Sequence, residues 1–528
     1  MVSVIVIVVI AVIAYYAVRD LRRYWALRQF QGPPLCGFTR YWMFKSATSG
    51  RLQHYYKDWS VKYGPTCRIG PNFLLTKDLA VIKQINAVRG DYSRSDWFVA
   101  ARMHPTQDNI TSYMDDKIHT KVRQTLAPGY SGKDNPHLEQ DIDTAVLKMV
   151  DLIQSKYLSS PSNYVQFDLA RMATFFTLDT LAAVAYGRSF GFLDKDEDPF
   201  GYLEQTKIFW PLFQFMATFP ELHNIIRIPF IRKLWPTADD VQGLGAIMHF
   251  AQELVAERFG PNPVVRKDML GSFMAHGMLA KAQLEAETLI QISAGSDSTA
   301  TAIRMALLHI CTNPRVLASL RRELDAAVRS GAASRPVIRD QEARRLPYLQ
   351  ACIKETLRVV PPAAGLLPKR VPGPAGDTIA GVWVPPGTDV GWNIQGLMRD
   401  EALFGPDADL FRPERWLLEP DDAKLARMLD AQSIIFGSGK YGCLGRHVAS
   451  FELDKAIAEL VLRFEWELAD VKDPLKSLCM GFHLQEQLFF RVTERKVVGG
   501  GDVNGEEAWE KVGAERRDFG LETKWEDV

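Results

Sequence analysis

The chain has 528 residues, 47% of them hydrophobic, and its 63 Lys plus Arg are matched by 63 Asp plus Glu. Roughly 100–200 residues per domain suggests about three domains, although no pattern marks three separate cores, and a formal charge of zero leaves no global field to recruit nucleic acid. Six cysteines (Cys36, Cys67, Cys311, Cys352, Cys443, Cys479) include no CxxC pair, which suits neither a disulfide scaffold nor a zinc site and fits a reducing compartment.

Residues 1–18, MVSVIVIVVIAVIAYYAV, form an uncharged apolar run near the short end of the roughly 17–25 residues that span a bilayer. Tyr15, Tyr16, Tyr24 and Trp25 suit the interface, and Arg19, Arg22, Arg23 and Arg28 favour a cytosolic flank. The pattern predicts a single-pass transmembrane signal-anchor helix. A cleavable signal peptide competes with it, but the basic n-region is missing and arginines stand where a small-residue cleavage site would fall. Residues 19–37 carry the arginines and end in QGPPLCG, a Pro/Gly hinge.

The body is expected over residues 38–496. It opens with short β-like runs such as CRIGPNFLL, and from about residue 138 to 328 helix-period stretches dominate, among them DLARMATFFTLDTLAAVAYG and AETLIQISAGSDSTATAIRMALLHI. Residues 376–393, GDTIAGVWVPPGTDVGWN, read as two β segments around a Pro-Pro-Gly turn. Helix resumes after Cys443, where Leu453, Ile457, Leu460, Val461 and Phe464 repeat on one apolar face. Residues 497–528 are glycine-led and charged, the composition of a mobile tail. The fold class is mainly α with a small β portion: one large domain behind an N-terminal transmembrane helix.

Three constellations carry chemistry. A lone cysteine is most often a small buried hydrophobe, but Cys443 lies in FGSGKYGCLG, residues 436–445, directly before a helix. Gly437, Gly439 and Gly442 permit close backbone approach and positive φ. The helix N-terminus stabilises thiolate over thiol, and Gly445 clears space for a flat partner. Such a thiolate serves as a nucleophile, with His447 near in sequence as base, or as a metal ligand. In AGSDST, residues 294–299, Asp297 is a carboxyl inside an apolar helical run. Packing by small residues is the bland account; an acid, two hydroxyls and a ladder loosened at Gly295 suit proton delivery. In KETLRVVPP, Glu355 and Arg358 share a helical face among apolar neighbours, with Arg415 of FRPERW as a candidate third member of a buried network. The pattern alone says little, since QEARR repeats it at 342–345.

In this order and spacing the motifs resemble the haem-thiolate cytochrome P-450 family, over roughly residues 30–496. FGSGKYGCLG is similar to its cysteine loop, AGSDST to its oxygen-activating helix, KETLR to its Glu-x-x-Arg helix and FRPERW to its Pro-Glu-Arg motif. The anchor and DLARMATFFTLDTLAAVAYGRSFGFL are most similar to fungal membrane-bound members such as pisatin demethylase. The resemblance implies one mostly α fold holding haem b, with Cys443 as axial thiolate and iron ligand. Phe436, Gly439, Tyr441 and Gly445 would line the cofactor. His119, Arg123 and either Lys369 or Arg370 would meet the propionates. Asp297, Ser298 and Thr299 would relay protons to dioxygen, and Glu355, Arg358 and Arg415 would brace the cysteine loop. Tyr441 stands where relatives often have arginine, His119 where many have tryptophan, and Ser298 where threonine is usual.

The implied activity is insertion of one oxygen atom from dioxygen into a hydrophobic small molecule, in fungal secondary metabolism or detoxification. Electrons would come from NADPH through NADPH-cytochrome P-450 reductase, with cytochrome b5 as a further donor. The implied location is the endoplasmic reticulum membrane, catalytic domain on the cytosolic face. The competing functions are a haem-thiolate isomerase or dehydratase, a non-catalytic membrane-tethered haem protein and, remotely, a cysteine hydrolase. Residues 97–112, 209–220, the AAGLLP turn and MGFHL at 480–484 would line an apolar substrate pocket.

Overall fold

The computed structural model describes residues 18–223, 237–240 and 243–495, apart from 20 and 279. The expected anchor, Val18 excepted, and the expected tail lie outside these residues. Among the described residues no helix is long and apolar enough to cross a membrane.

Helices dominate. The longer ones are α1 (Asp116–Tyr130), α2 (Leu138–Leu152), α3 (Leu169–Tyr186), α4 (Tyr202–Thr218), α5 (Gly243–Ala256), α6 (Lys281–Cys311), α7 (Pro314–Arg329), α8 (Pro347–Val359) and α9 (Arg446–Arg463). Local signals set their ends. Asp168 caps α3 by accepting from the Ala170 N–H at 2.9 Å, and Gly187, at φ 71°, stops it in the left-handed conformation. Helix α3 is apolar on almost every side and therefore lies inside the domain rather than on its surface. Phe175 and Ala182 of α3, Ala302 and Ile303 of α6, Val146 of α2 and Ile457 and Leu460 of α9 share the largest apolar core.

The 31-residue α6 spans roughly 46 Å at 1.5 Å per residue. It runs as continuous α-helix through residues 294–299, so the loosened ladder expected at Gly295 is not seen. Ser296 and Ser298 donate their hydroxyls to the Ile292 and Ala294 carbonyls at 2.8 and 2.9 Å, bonding along the helix that they were expected to open.

The principal sheet has five strands: β1 (Thr66–Gly70), β2 (Phe73–Thr76), β3 (Ser93–Arg94), β4 (Lys369–Arg370) and β5 (Asp389–Trp392), in the order β1-β2-β5-β4-β3. The stretch 376–393 holds three strands rather than two, because Ala380 and Gly381, both at positive φ, turn Asp377–Ile379 back onto Val382–Val384 before β5 begins. Phe464, expected to continue the helical stripe of α9, is buried but instead starts the strand Phe464–Leu468. One register matters for the site: antiparallel β3 and β4 set Arg94 directly opposite Lys369.

Candidate active site

The cysteine loop folds back on itself before α9. The Cys443 N–H donates to the Phe436 carbonyl at 2.6 Å, closing the loop. Gly437 and Gly439 take positive φ, at 81° and 60°, whereas Gly442 does not. A Cβ on Gly439 would stand 1.7 Å from the Asn86 carbonyl oxygen, so that glycine seats the loop against the body of the protein. At Gly445 a Cβ would lie 3.9 Å from the Cys443 sulfur, an ordinary contact. The thiol is solvent-accessible, yet protein crowds it closely enough that burial pushes it up. Opposing that are the backbone N–H groups of Gly445 and Arg446 and the Arg123 and Arg446 charges. His447 turns to Arg344, its Nδ1 lying 3.5 Å from that guanidinium, rather than serving the sulfur as a base.

Helix α6 crosses α9 where Thr299 hydrogen-bonds Glu452. Next to that crossing Ala294 is exposed and Ser298 half-buried, within a helix whose flanking turns are enclosed. Cys443, just before α9, is accessible as well. The structure thus separates the two hydroxyls that the sequence left equivalent. Ser298 is half-buried and accessible, whereas Thr299 is buried on α9.

Buried cations gather at one side of the loop. The Arg94 guanidinium lies 4.8 Å from the centroid of the Tyr441 ring and the Lys369 ammonium 4.5 Å from it. Arg94 donates to the Ile110 and Tyr113 carbonyls at 2.7 and 3.1 Å and approaches His119 Nε2 at 3.3 Å. The neighbouring carboxylate, Asp116, is already engaged by Lys440 at 2.6 Å and by the Tyr441 hydroxyl. Asp116 feels some burial, but these two hydrogen bonds hold its carboxyl below the usual value. Burial and the Arg94 and Arg123 charges drive the His119 imidazole down to about 3, and burial brings Arg94 down to about 10. Arg123 donates to the Gly442 carbonyl at 2.7 Å and so holds the loop backbone.

Lys369 and Arg370 divide as neighbours on a strand must, pointing to opposite faces. Arg370 leaves the cluster for Asp389 and Asp96, at 3.0 Å each, and is a sheet residue. Arg94 is the cation that reading the sequence missed; no motif surrounds it, and its place follows only from the β3–β4 register.

Asp297 is nearly buried, and burial lifts its carboxyl to about 6 against the pull of Arg304, Trp210 and Tyr202. Its Oδ2 accepts from the Trp210 indole N–H at 3.3 Å. Glu355, Arg358 and Arg415 meet in one buried network. Arg358 donates twice to Glu355 at 2.8 Å, Arg415 adds a bond at 3.0 Å and the Trp416 indole another at 2.9 Å. Burial acts to raise the Glu355 carboxyl, but Arg358 and Arg415 hold it below its usual value. Trp416 shares an apolar cluster with Ile434, which leads into the cysteine loop. The four segments expected to line a pocket also converge, with Trp97, Trp210, Phe213, Ala364 and Met480 in one cluster.

The cytochrome P450 family model matches residues 32–490. The chain belongs to the cytochrome P450 family. It is similar to cytochrome P450 monooxygenase ABA1 of Pyricularia oryzae, 38% identical over 489 residues that cover 91% of this chain and 95% of that protein. Cytochrome P450 monooxygenase aba1 of Botryotinia fuckeliana is 37% identical over 472 residues, 89% of this chain and 92% of the relative. Cytochrome P450 monooxygenase abl1 of Leptosphaeria maculans is 34% identical over 446 residues, 84% and 78% respectively. The chain is a monooxygenase of the P450 class.

P450 membership implies haem, and the residues present fit it. Cys443 offers an accessible thiol before α9, and Ala294 an accessible small side chain on α6. Beside Tyr441, Arg94 Nε and His119 Nδ1 are buried without a hydrogen-bond partner. Like charges directly opposite on paired strands destabilise a sheet, and Arg94 faces Lys369 in that way. Buried charge needs a counter-charge, and the carboxylates of a haem would supply it to this P450.

Proposed function

We propose that this P450 holds haem b between α6 and the cysteine loop and uses it to insert one oxygen atom from dioxygen into a hydrophobic small molecule. The observation that carries the reading is the accessible Cys443 thiol at a helix N-terminus beside a buried cation cluster short of anions. When bound through a cysteine thiolate, haem supplies dioxygen activation with electron density pushed toward O–O cleavage.

The chain's residues then divide the work. Cys443 ligates, and the Gly445 and Arg446 N–H groups, with Arg123 and Arg446, favour its thiolate form. Arg94, His119 and Lys369 hold the propionates, while Arg123 fixes the loop through Gly442. Tyr441 and Lys440 act through Asp116, not on the cofactor directly. Asp297 holds a proton on the α4 side, and Ser298 presents a hydroxyl on the accessible face of α6. Trp97, Phe213 and Met480 exclude water from an apolar substrate. Electrons come from NADPH through a reductase, with cytochrome b5 as a further donor, and residues 1–18 anchor the chain in the endoplasmic reticulum membrane. A secondary-metabolic role is consistent with the fungal relatives.

The carbon-monoxide difference spectrum of the reduced, haem-loaded protein tests the reading. A red-shifted thiolate Soret band is expected, lost in Cys443→His; its absence from folded wild-type holoprotein overturns the assignment. Dependence of turnover on NADPH and dioxygen separates a monooxygenase from an isomerase on the same scaffold.

A further inference from the structure

Helix α4 is joined to the C-terminal hairpin along a single seam. The hairpin consists of Lys476–Cys479 and His483–Glu486, with residues 480–482 at its tip. Lys207 pairs with Glu486 at 2.5 Å, the Trp210 ring stacks on Phe482 at 4.5 Å and 27°, and Gln214 donates to the Met480 carbonyl at 2.6 Å. Positions 207, 210 and 214 follow i, i+3, i+7 and lie on one helical face. Their partners run 486, 482, 480, so helix and hairpin tip meet in opposite directions. Gly481 makes the approach close: at φ 91°, its Cβ would stand 2.1 Å from Gln214 Nε2.

Trp210 sits at the middle of this seam and also reaches α6. Its indole is 4% exposed, stacks on Phe482 with one face and donates its N–H to Asp297. Ser298 does not serve Asp297, because its hydroxyl is turned to the Ala294 carbonyl. Asp297 and Ser298 lie about 100° apart around α6, so the carboxyl must be held in place from the α4 side.

We propose that Trp210 is a positioning residue that couples closure of the α4–hairpin seam to proton supply, holding the Asp297 carboxyl in place only while its ring is stacked on Phe482. Substrate entering between α4 and the hairpin tip then sets the seam, and the seam sets Asp297. The inference rests on the reading of Asp297 as a proton relay. The other groups that face its carboxyl are Tyr202 from α4 and Arg304 from α6 itself.

The holoenzyme with an NADPH–P450 reductase tests it without any substrate, by following NADPH oxidation and peroxide release across pH. Trp210→Phe keeps the ring and removes the donor. Its rate is expected to fall roughly tenfold, and the pH limb that Asp297→Asn abolishes should move upward by about one unit, because the lost N–H favoured the carboxylate. In the Asp297→Asn background the same substitution should add less than about twofold. Phe482→Leu, which leaves the N–H but removes the stack, should shift the limb in the same direction, and it is informative even if Trp210→Phe fails to fold. Full additivity with Asp297→Asn, or unmoved limbs in both variants, overturns the role of Trp210 alone. Wild-type rates and pH profile in Asp297→Asn overturn the relay reading itself.

Discussion

The Tyr441 hydroxyl donates to Asp116 at the first turn of α1, and Lys440, one residue earlier, donates to the other oxygen of the same carboxylate. Two adjacent loop residues thus fasten the cysteine loop to a helix start, where negative charge is itself favoured. Tyr441→Phe removes one of the two bonds. Haem loss, followed by transfer to an excess of apomyoglobin, should be about fivefold faster, the equivalent of ~1 kcal/mol. Asp116→Asn weakens both bonds and should lose haem faster still. Equal rates in wild type and both variants would show that the loop is held elsewhere.

Arg94 is expected to matter for cofactor retention more than its unremarkable local sequence suggests. Arg94→Ala removes a buried cation and leaves the Ile110 and Tyr113 carbonyls without that donor. The ratio of haem to purified protein should fall by at least about half, since a charge-assisted contact is worth roughly 1.5–3 kcal/mol. Arg94→Lys keeps the charge but not the fork and should recover only part of it. Circular dichroism separates haem loss from unfolding.

Ser298 and Thr299 should give opposite phenotypes. Ser298→Ala removes the accessible hydroxyl and should slow turnover roughly a hundredfold, the low end for a positioned proton donor. Thr299→Val deletes the bond to Glu452 and should cost about 1 kcal/mol of stability while leaving turnover near wild type. If Thr299→Val is the slower variant, the relay runs through the wrong hydroxyl.

The Glu355 network is structural and should behave so. Both Glu355 and Arg358 are 0% exposed, and Arg358 also serves the Met398, Ala408 and Leu410 carbonyls. Breaking one partner of a buried pair costs about 3–5 kcal/mol. Glu355→Gln or Arg358→Ala should therefore reduce folded, haem-binding protein in denaturant titrations before any change in the spectrum of the fraction that folds.

Glu452 predicts a pH dependence. Burial raises its carboxyl to about 8, against the hydrogen bond from Thr299. A folded-state value above the ordinary 4.5 means that the folded protein holds a proton which the unfolded chain has released. Stability from this group is thus present below the unfolded value and lost as pH rises toward the folded one. Glu287, also raised to about 8 by burial, acts in the same sense. Denaturant midpoints should decline from about pH 5 to pH 8, and Glu452→Gln should flatten part of that decline. An unchanged slope would place the buried proton elsewhere.

The cysteine loop was legible in the sequence, because it is a short contiguous run whose spacing reports its own local geometry. The Glu355–Arg358 pair and Arg415 stood out only through their resemblance to the family's motifs, and the meeting of Glu355 with Arg415 across 60 positions is tertiary. The long buried helix was legible too, since a continuous apolar pattern reads directly as burial. Resemblance to the P450 family needed nothing more, and the family match bears it out. Which neighbour faces the site was not legible. Lys369 and Arg370 are adjacent cations, and only the pairing of β4 with β3 turned one toward Tyr441 and the other toward Asp389. Ser298 and Thr299 are adjacent hydroxyls, and the crossing of α6 with α9 buried one of them. Trp210 reaches Asp297 across 87 positions of sequence. Local runs carry their own spacing, but a side chain's partner is chosen by packing between distant elements, which only the folded chain decides.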